Sequence, residues 1–396
     1  MRIGTANTVE TALDQLYKRQ SELSTVQEQL SSGNKINRAS DDPTGAAQAE
    51  RAMTKLSRIA TDQRALETQR NAITTAETSL GDAIGLVQNI RELVVSAGNA
   101  SYTAKDRATL AQQMAAARDQ LLTLANAKDS NGVPLFGGLG SAGAPFADLS
   151  TGVLFQGTAG QRASTATALP GAMNGQAVWM NVSSGNGTFK VGLNAANTGT
   201  AWTDPGTVIS PAALTGDNYS ISFNVVAGAT TYDVVDSTTS AVVASAQPYK
   251  DGAPIQFDGM SVIVHGIPRS GDAVDVAPST QIGVFKAIDD TIASIANAPG
   301  DNKLAQAVSL SLAQIDSSLE RLQAARGQAG DWLNRADSIT SAQEASTIAT
   351  RADKSRAEDL DMVKGLSDFN LSQTSYQAAL QSYAQIQKLS LFNYIN

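Results

Sequence analysis

The sequence predicts a mainly α-helical chain: long antiparallel helical rods and coiled-coil terminal helices, with an all-β domain inserted at the far tip. Three observations lead there. Both ends of the 396-residue chain carry apolar residues at the alternating three- and four-residue steps of a helix wound on a partner. Two long inner stretches keep helical spacing without proline. Between them, residues 137–279 hold 20 of the 32 glycines and 8 of the 11 prolines, and no glutamate, which is the composition of short strands joined by turns.

Along the chain, Val9, Leu16, Leu23 and Leu30 recur every seventh position, with Leu13, Gln20 and Gln27 between them. This first helix stops at Ser31-Ser32-Gly33-Asn34, where Gly33 suits the left-handed position just past a helix end. After a short link, Asp41-Asp42-Pro43 supplies an N-cap carboxylate and a proline at the first helical position. Gly33, Asp41, Asp42 and Pro43 are therefore the predicted joint. The helix that follows keeps its three-four spacing from Ala49 to Val94 and ends at Gly98-Asn99, a rod of roughly 80 Å at 1.5 Å per residue. A third helix is expected from about Ala104 to Ala127, and Asn131-Gly132 reads as a hairpin turn.

Within the glycine-rich stretch, strands are expected at residues 152–155, 177–182, 219–226, 232–235 and 260–264, forming one β domain or two small lobes meeting near Thr200 to Pro211. Helix resumes near Gln281 and pauses at Pro299-Gly300. It then runs on, with Val308, Ile315, Leu322, Ala329 and Ala336 every seven, to a break around Arg356–Asp359. In the last stretch Met362, Leu366, Phe369, Gln373, Tyr376, Leu380 and Tyr383 form the seam, drifting to Ile386, Leu389 and Phe392. From Leu360 onward the only charges are Asp361, Lys364, Asp368 and Lys388. Gln and Ser cost less to desolvate than ions, so this outer face suits contact on several sides. The expected divisions are 1–42 and 359–396 (terminal helices), 43–136 and 280–358 (rod halves), and 137–279 (β insertion).

A net charge of −8 argues against nucleic acid or anionic lipid as partner. The chain has no cysteine, its start lacks the apolar region of a cleaved signal peptide, and no run approaches 18 apolar residues, so no membrane span is expected. His265 stands alone, in a predicted strand, which makes a zinc site improbable. Gly138-Leu139-Gly140-Ser141-Ala142-Gly143 has the glycine spacing of a dinucleotide loop but leads to Pro145 rather than a helix. Asp41-Asp42 is explained by capping, and Asp251, Asp258, Asp272 and Asp275 lack a calcium-loop spacing. No catalytic set, cofactor or metal site is expected.

Leu30-Ser31-Ser32-Gly33-Asn34-Lys35-Ile36-Asn37-Arg38-Ala39-Ser40-Asp41-Asp42-Pro43 closely resembles the N-terminal signature of the flagellin family, as does Arg91-Glu92-Leu93-Val94-Val95-Ser96-Ala97. Asp-Asp-Pro, and the ending Lys388-Leu389-Ser390-Leu391-Phe392-Asn393-Tyr394-Ile395, are similar to the branch of that family found at the hook–filament junction. Phe155–Arg162 and Ile255–Met260 also fit. The resemblance implies that the paired terminal helices form an inner tube, with Val9, Leu13, Leu16, Leu23, Leu30, Leu366, Phe369, Tyr376, Leu380, Tyr383, Ile386, Leu389 and Phe392 at the assembly interface. It implies a ring of identical subunits between hook-associated protein 1 and flagellin, and export through the flagellar type III route with a chaperone on the C-terminal helix. The competing readings are a filament flagellin, and a secreted adhesin or glycan-binding protein acting through the β insertion.

Overall fold

The computed structural model describes residues 5–388, with side chains from Glu10 to Gln385. The chain divides into two compact units: a terminal unit of residues 1–64 and 339–396, and a central unit of residues 65–338. Seven α-helices are described: α1 (Thr5–Ser32), α2 (Pro43–Ala97), α3 (Ala104–Ala125), α4 (Gly175–Trp179), α5 (Val284–Ala296), α6 (Asp301–Glu358) and α7 (Met362–Lys388). The long helices α2 and α6 each contribute to both units. None of the described helices is long and apolar enough to cross a membrane.

In the central unit, α2 buries Leu66, Ile73, Leu80, Val87 and Val94, one every seventh residue, and α6 buries Ile315, Leu322, Ala329 and Ala336 at the same interval. The two helices run antiparallel and are cross-linked outside the seam by Arg70–Asp337 (3.1 Å), Arg326–Glu77 (2.6 Å) and Arg91–Asp316 (2.6 Å). Helix α3 opens with a capping box in which the Thr103 hydroxyl accepts from the Asp106 amide and the Asp106 carboxylate accepts from the Thr103 amide. It packs on α5.

The glycine-rich stretch divides between two cores. Strands β1 (Phe146–Leu149) and β2 (Gly152–Phe155) form a hairpin whose Phe146 joins Phe136, Trp179 and Phe285 in an aromatic cluster on the helices. Residues 177–182, expected as a strand, instead close α4, pass through Met180 and Asn181, and open the short β3 (Val182–Ser183). The Asn174 side chain caps this helix by accepting from the Ala177 amide, and burial of Trp179 against Phe285 (5.7 Å, stacked) fixes it. Arg118 on α3 lies buried beneath the cluster, 5.9 Å from the Phe285 ring centre, and donates to Asp148 of β1 and Asp289 of α5. Those hydrogen bonds raise its pKa further and hold the Asp148 carboxyl below the usual carboxylate range.

The second core is a β-sandwich. Its first sheet has five antiparallel strands, β4 (Phe189–Leu193), β12 (Ala273–Pro278), β7 (Tyr219–Val226), β8 (Ala229–Asp236) and β9 (Val242–Pro248), in that spatial order. The second sheet centres on β11 (Met260–His265), which pairs with β10 (Pro254–Phe257), β5 (Trp202–Thr203) and β6 (Thr207–Val208). Inward residues from both sheets, among them Phe189, Ile221, Phe223, Ile255, Val262 and Val264, share one core, so the sandwich is one lobe and does not split near Thr200 to Pro211. The chain enters and leaves it side by side, through β3 paired with β13 (Gln281–Ile282). At β9, the edge of the first sheet, the ladder shifts register and Ala246 takes a positive φ of 49°, which spoils the strand as a template for further pairing.

Candidate assembly surface of the terminal unit

The terminal unit is built from α1 packed on α7, the two links that join them to α2 and α6, and the ends of α2 and α6 themselves. Two features fix the links in place. The first is a stitch between them. Gly33, at φ +73°, turns the chain out of α1, and its amide donates to the Gln29 carbonyl at 2.9 Å. The next residues run antiparallel to the residues before α7: the Lys35 amide donates to the Glu358 carbonyl (2.7 Å), and the Leu360 amide to the Gly33 carbonyl (2.9 Å). Lys35 Nζ adds a bond to the Arg356 carbonyl (2.9 Å), and Gln29 Nε2 holds the Lys35 carbonyl (2.8 Å). Glu358 also takes an ion pair from Lys354 at 2.6 Å, which raises the lysine pKa.

The second feature is a division of labour between the paired aspartates. Asp42 Oδ1 accepts from the amides of Thr44 (3.1 Å) and Gly45 (2.9 Å) and caps α2, with Pro43 as its first residue. Asp41 instead closes the preceding loop, its Oδ2 accepting from the amides of Asn37 (3.2 Å) and Arg38 (2.9 Å). Asp361 caps α7 in the same manner, through Val363 and Lys364.

Helix α7 has two apolar rows rather than one. The row turned to α1 is Gly365, Phe369, Ser372, Tyr376, Ala379 and Tyr383, all buried or half-buried. Against it α1 sets Leu13, Leu16, Leu23, Val26 and Leu30, all half-buried, while Gln20 and Gln27 are exposed. Gly365 permits the close approach: a Cβ there would meet Leu360 at 2.8 Å and Leu30 at 3.4 Å. Phe369, Tyr376 and Tyr383 thus lie in the seam, as the spacing predicts. The intervening positions differ, because Leu366 (56 % exposed), Gln373 and Leu380 (41 % exposed) point away from α1. Met362, Leu366 and Leu380 form an outward apolar row, interrupted by Gln373, that the described residues leave exposed. Tyr17 of α1 is exposed as well. The side chains of Val9 and Ile386, and Leu389 and Phe392 altogether, lie outside the described residues.

Elsewhere, His265 stacks on Trp202 with ring centres 4.4 Å apart, and its Nδ1 stands 3.7 Å from Asp251. Gly138–Gly143 is loop, followed by β1.

Two family profiles match the chain: the bacterial flagellin N-terminal helical region over residues 3–141, and the C-terminal helical region over residues 312–395. The flagellar hook-associated protein 3 of Salmonella typhimurium is 36% identical over 155 residues, which is 38% of this chain and 48% of that protein. The Escherichia coli protein of the same name is 23% identical over 400 residues, 99% of each. Among solved structures, the flagellar junction protein FlgL from Legionella pneumophila is 30% identical, with a TM-score of 0.68 over 74% of this chain and 99% of that one.

Proposed function

The chain belongs to the flagellar hook-associated protein 3 family, within the flagellins, and from that premise we propose that it is the adaptor ring of the hook–filament junction. It is a structural protein of the bacterial flagellum. In the proposed role, identical copies pack through α1 and α7 into an inner tube, joining hook-associated protein 1 on one side to flagellin on the other. Residues 43–136 and 280–358, joined by the β1–β2 hairpin and α4, then act as the surrounding rod, and the β-sandwich from Phe189 to Pro278 points outward. The chain reaches its place outside the cell by the flagellar export route, its C-terminal helix held by a chaperone until assembly.

The observation that carries this reading is the outward row Met362, Leu366 and Leu380 on a helix whose other apolar row is already occupied by α1. Apolar side chains repeated at seam spacing are covered in the functional state, and a neighbour's terminal helices have the matching shape. Immunolabelling of isolated flagella tests it. A single band at the hook–filament boundary is expected, and label along the whole filament would make the chain a filament flagellin instead.

A further inference from the structure

A groove of about 430 Å³ opens in the terminal unit between α2 and α6, walled by Gln48, Arg51 and Lys55 on one helix and by Asp353 and Arg356 on the other, with Thr350 at its floor. Three cations meet one carboxylate here, although the chain as a whole carries 37 acidic and 29 basic residues. That carboxylate is already engaged, since Asp353 pairs with Arg356. Arg51 and Lys55 make no ion pair among the described residues. The antiparallel register that sets Arg70 beside Asp337 and Arg91 beside Asp316 leads, by equal steps along both helices, to Arg51 opposite Arg356: like charges where the ladder elsewhere places opposite ones.

A second and independent sign lies beneath the charges. Thr350 is 2 % exposed, and its hydroxyl has no hydrogen-bond partner. A buried hydroxyl without a partner is destabilising, and structures rarely leave one so. Arg51, Lys55 and Thr350 line the same groove and all can donate, and the group that answers donors of this kind is a carboxylate.

The geometry points to a carboxylate-binding groove that is filled, in the assembled state, by an aspartate or glutamate side chain of a second copy of this chain. Charge complementarity selects that occupant. The groove is basic in an acidic protein, and it belongs to the same unit that exposes the outward row of α7. The inference rests on the reading that copies pack through the terminal unit, and it adds a polar, salt-sensitive contact to the apolar one.

The test uses the full chain in flagellated cells, with Gln48 replaced by p-benzoylphenylalanine and tagged and untagged copies expressed together. After irradiation, the expected product is an adduct between position 48 of one copy and an Asp- or Glu-bearing peptide of the other. Its yield should fall at least tenfold in Arg51→Gln/Lys55→Gln, with the melting temperature of the purified monomer unchanged. Label at the junction without an inter-copy adduct, or an adduct indifferent to the two substitutions, would overturn this inference alone. So would an adduct formed only with another protein. Stabilisation of the monomer by acetate or phosphate in the absence of an inter-copy adduct would make the groove a site for a free anion and reject the second copy as its occupant. Loss of the wild-type chain from the junction would overturn both this inference and the assembly reading.

Discussion

The same two helices, α2 and α6, build their seams from different residues in the two units. In the central unit the buried positions of α2 are Val94, Val87, Leu80, Ile73 and Leu66; in the terminal unit the same row continues as Ile59, Ala52 and Gly45. On α6 the row passes from Ile315 and Leu322 through Ala329 and Ala336 to Gln343, Thr350 and Ala357. Bulky apolar residues give way to small ones on α2 beyond Ile59, and to small and polar ones on α6. The Gln343 amide and the Thr350 hydroxyl are buried without hydrogen-bond partners. A dry seam of Leu, Ile and Val gains its stability inside one chain. A seam of mostly Ala, Gly, Thr and Gln, with Ile59 and Ile339 as its bulky members, contributes less apolar area and carries unmet polar groups, which fits the proposal that neighbouring copies complete the terminal unit.

The contrast is best broken from the central side. Leu80→Ala should cost about 3–4 kcal/mol, the range for emptying a fully buried leucine site, read as a lower urea midpoint. A loss under about 1 kcal/mol would show that the central seam is not what holds the chain. Arg118→Met should cost about 1–2 kcal/mol at neutral pH, because Asp148 and Asp289 lose their shared partner but are partly solvated. The sign of its pH dependence follows from Asp148, whose pKa is lowered in the folded state. Its contribution is present above the unfolded value of about 4 and is lost as pH falls through the lowered folded value. Wild type and variant should therefore converge in stability on acidification, and a gap that stays constant would refute the ion pair as its source.

In the terminal unit the sign reverses. Gln343→Leu and Thr350→Val each remove an unmet polar group and should stabilise the monomer by about 1 kcal/mol, measured by thermal unfolding. Destabilisation by either would mean that water or another partner already satisfies it. The smallest effect on the monomer belongs to Leu380→Asp, within about 0.5 kcal/mol because the side chain already faces solvent. In complementation of a strain lacking the junction protein, the same change should abolish filament growth. Normal motility would reject α7 as part of the inner tube.

How much of this could be read from the chain differs by element. The terminal helices, the Asp42–Pro43 start of α2 and the long rods were legible because heptad spacing and caps are local signals. Which row of α7 meets α1 was not. Apolarity marks a side chain that needs cover without saying what covers it, and the row that fits α1 uses Gly365, Ser372 and Ala379, whose value is their small size. The edge of the β insertion was blurred for a related reason. Glycine and proline become frequent at Gly137, yet Phe146 and Trp179 belong to the aromatic cluster on the helices, and the sandwich core begins at Phe189. Composition reports turns, whereas a core is defined by what packs. The basic groove needed two distant stretches in register, and neither Arg51 nor Thr350 stands out alone.

The stitch between the links has a kinematic consequence. Joined to the ends of α2 and α6 through a single strand, the α1–α7 pair could spin about that strand as about a swivel. Two strands bonded side by side, Lys35 to Glu358 and Leu360 to Gly33, remove that freedom. Under the proposed adaptor role, such a doubly held joint would pass rotation from the α1–α7 pair to the long helices instead of letting it slip.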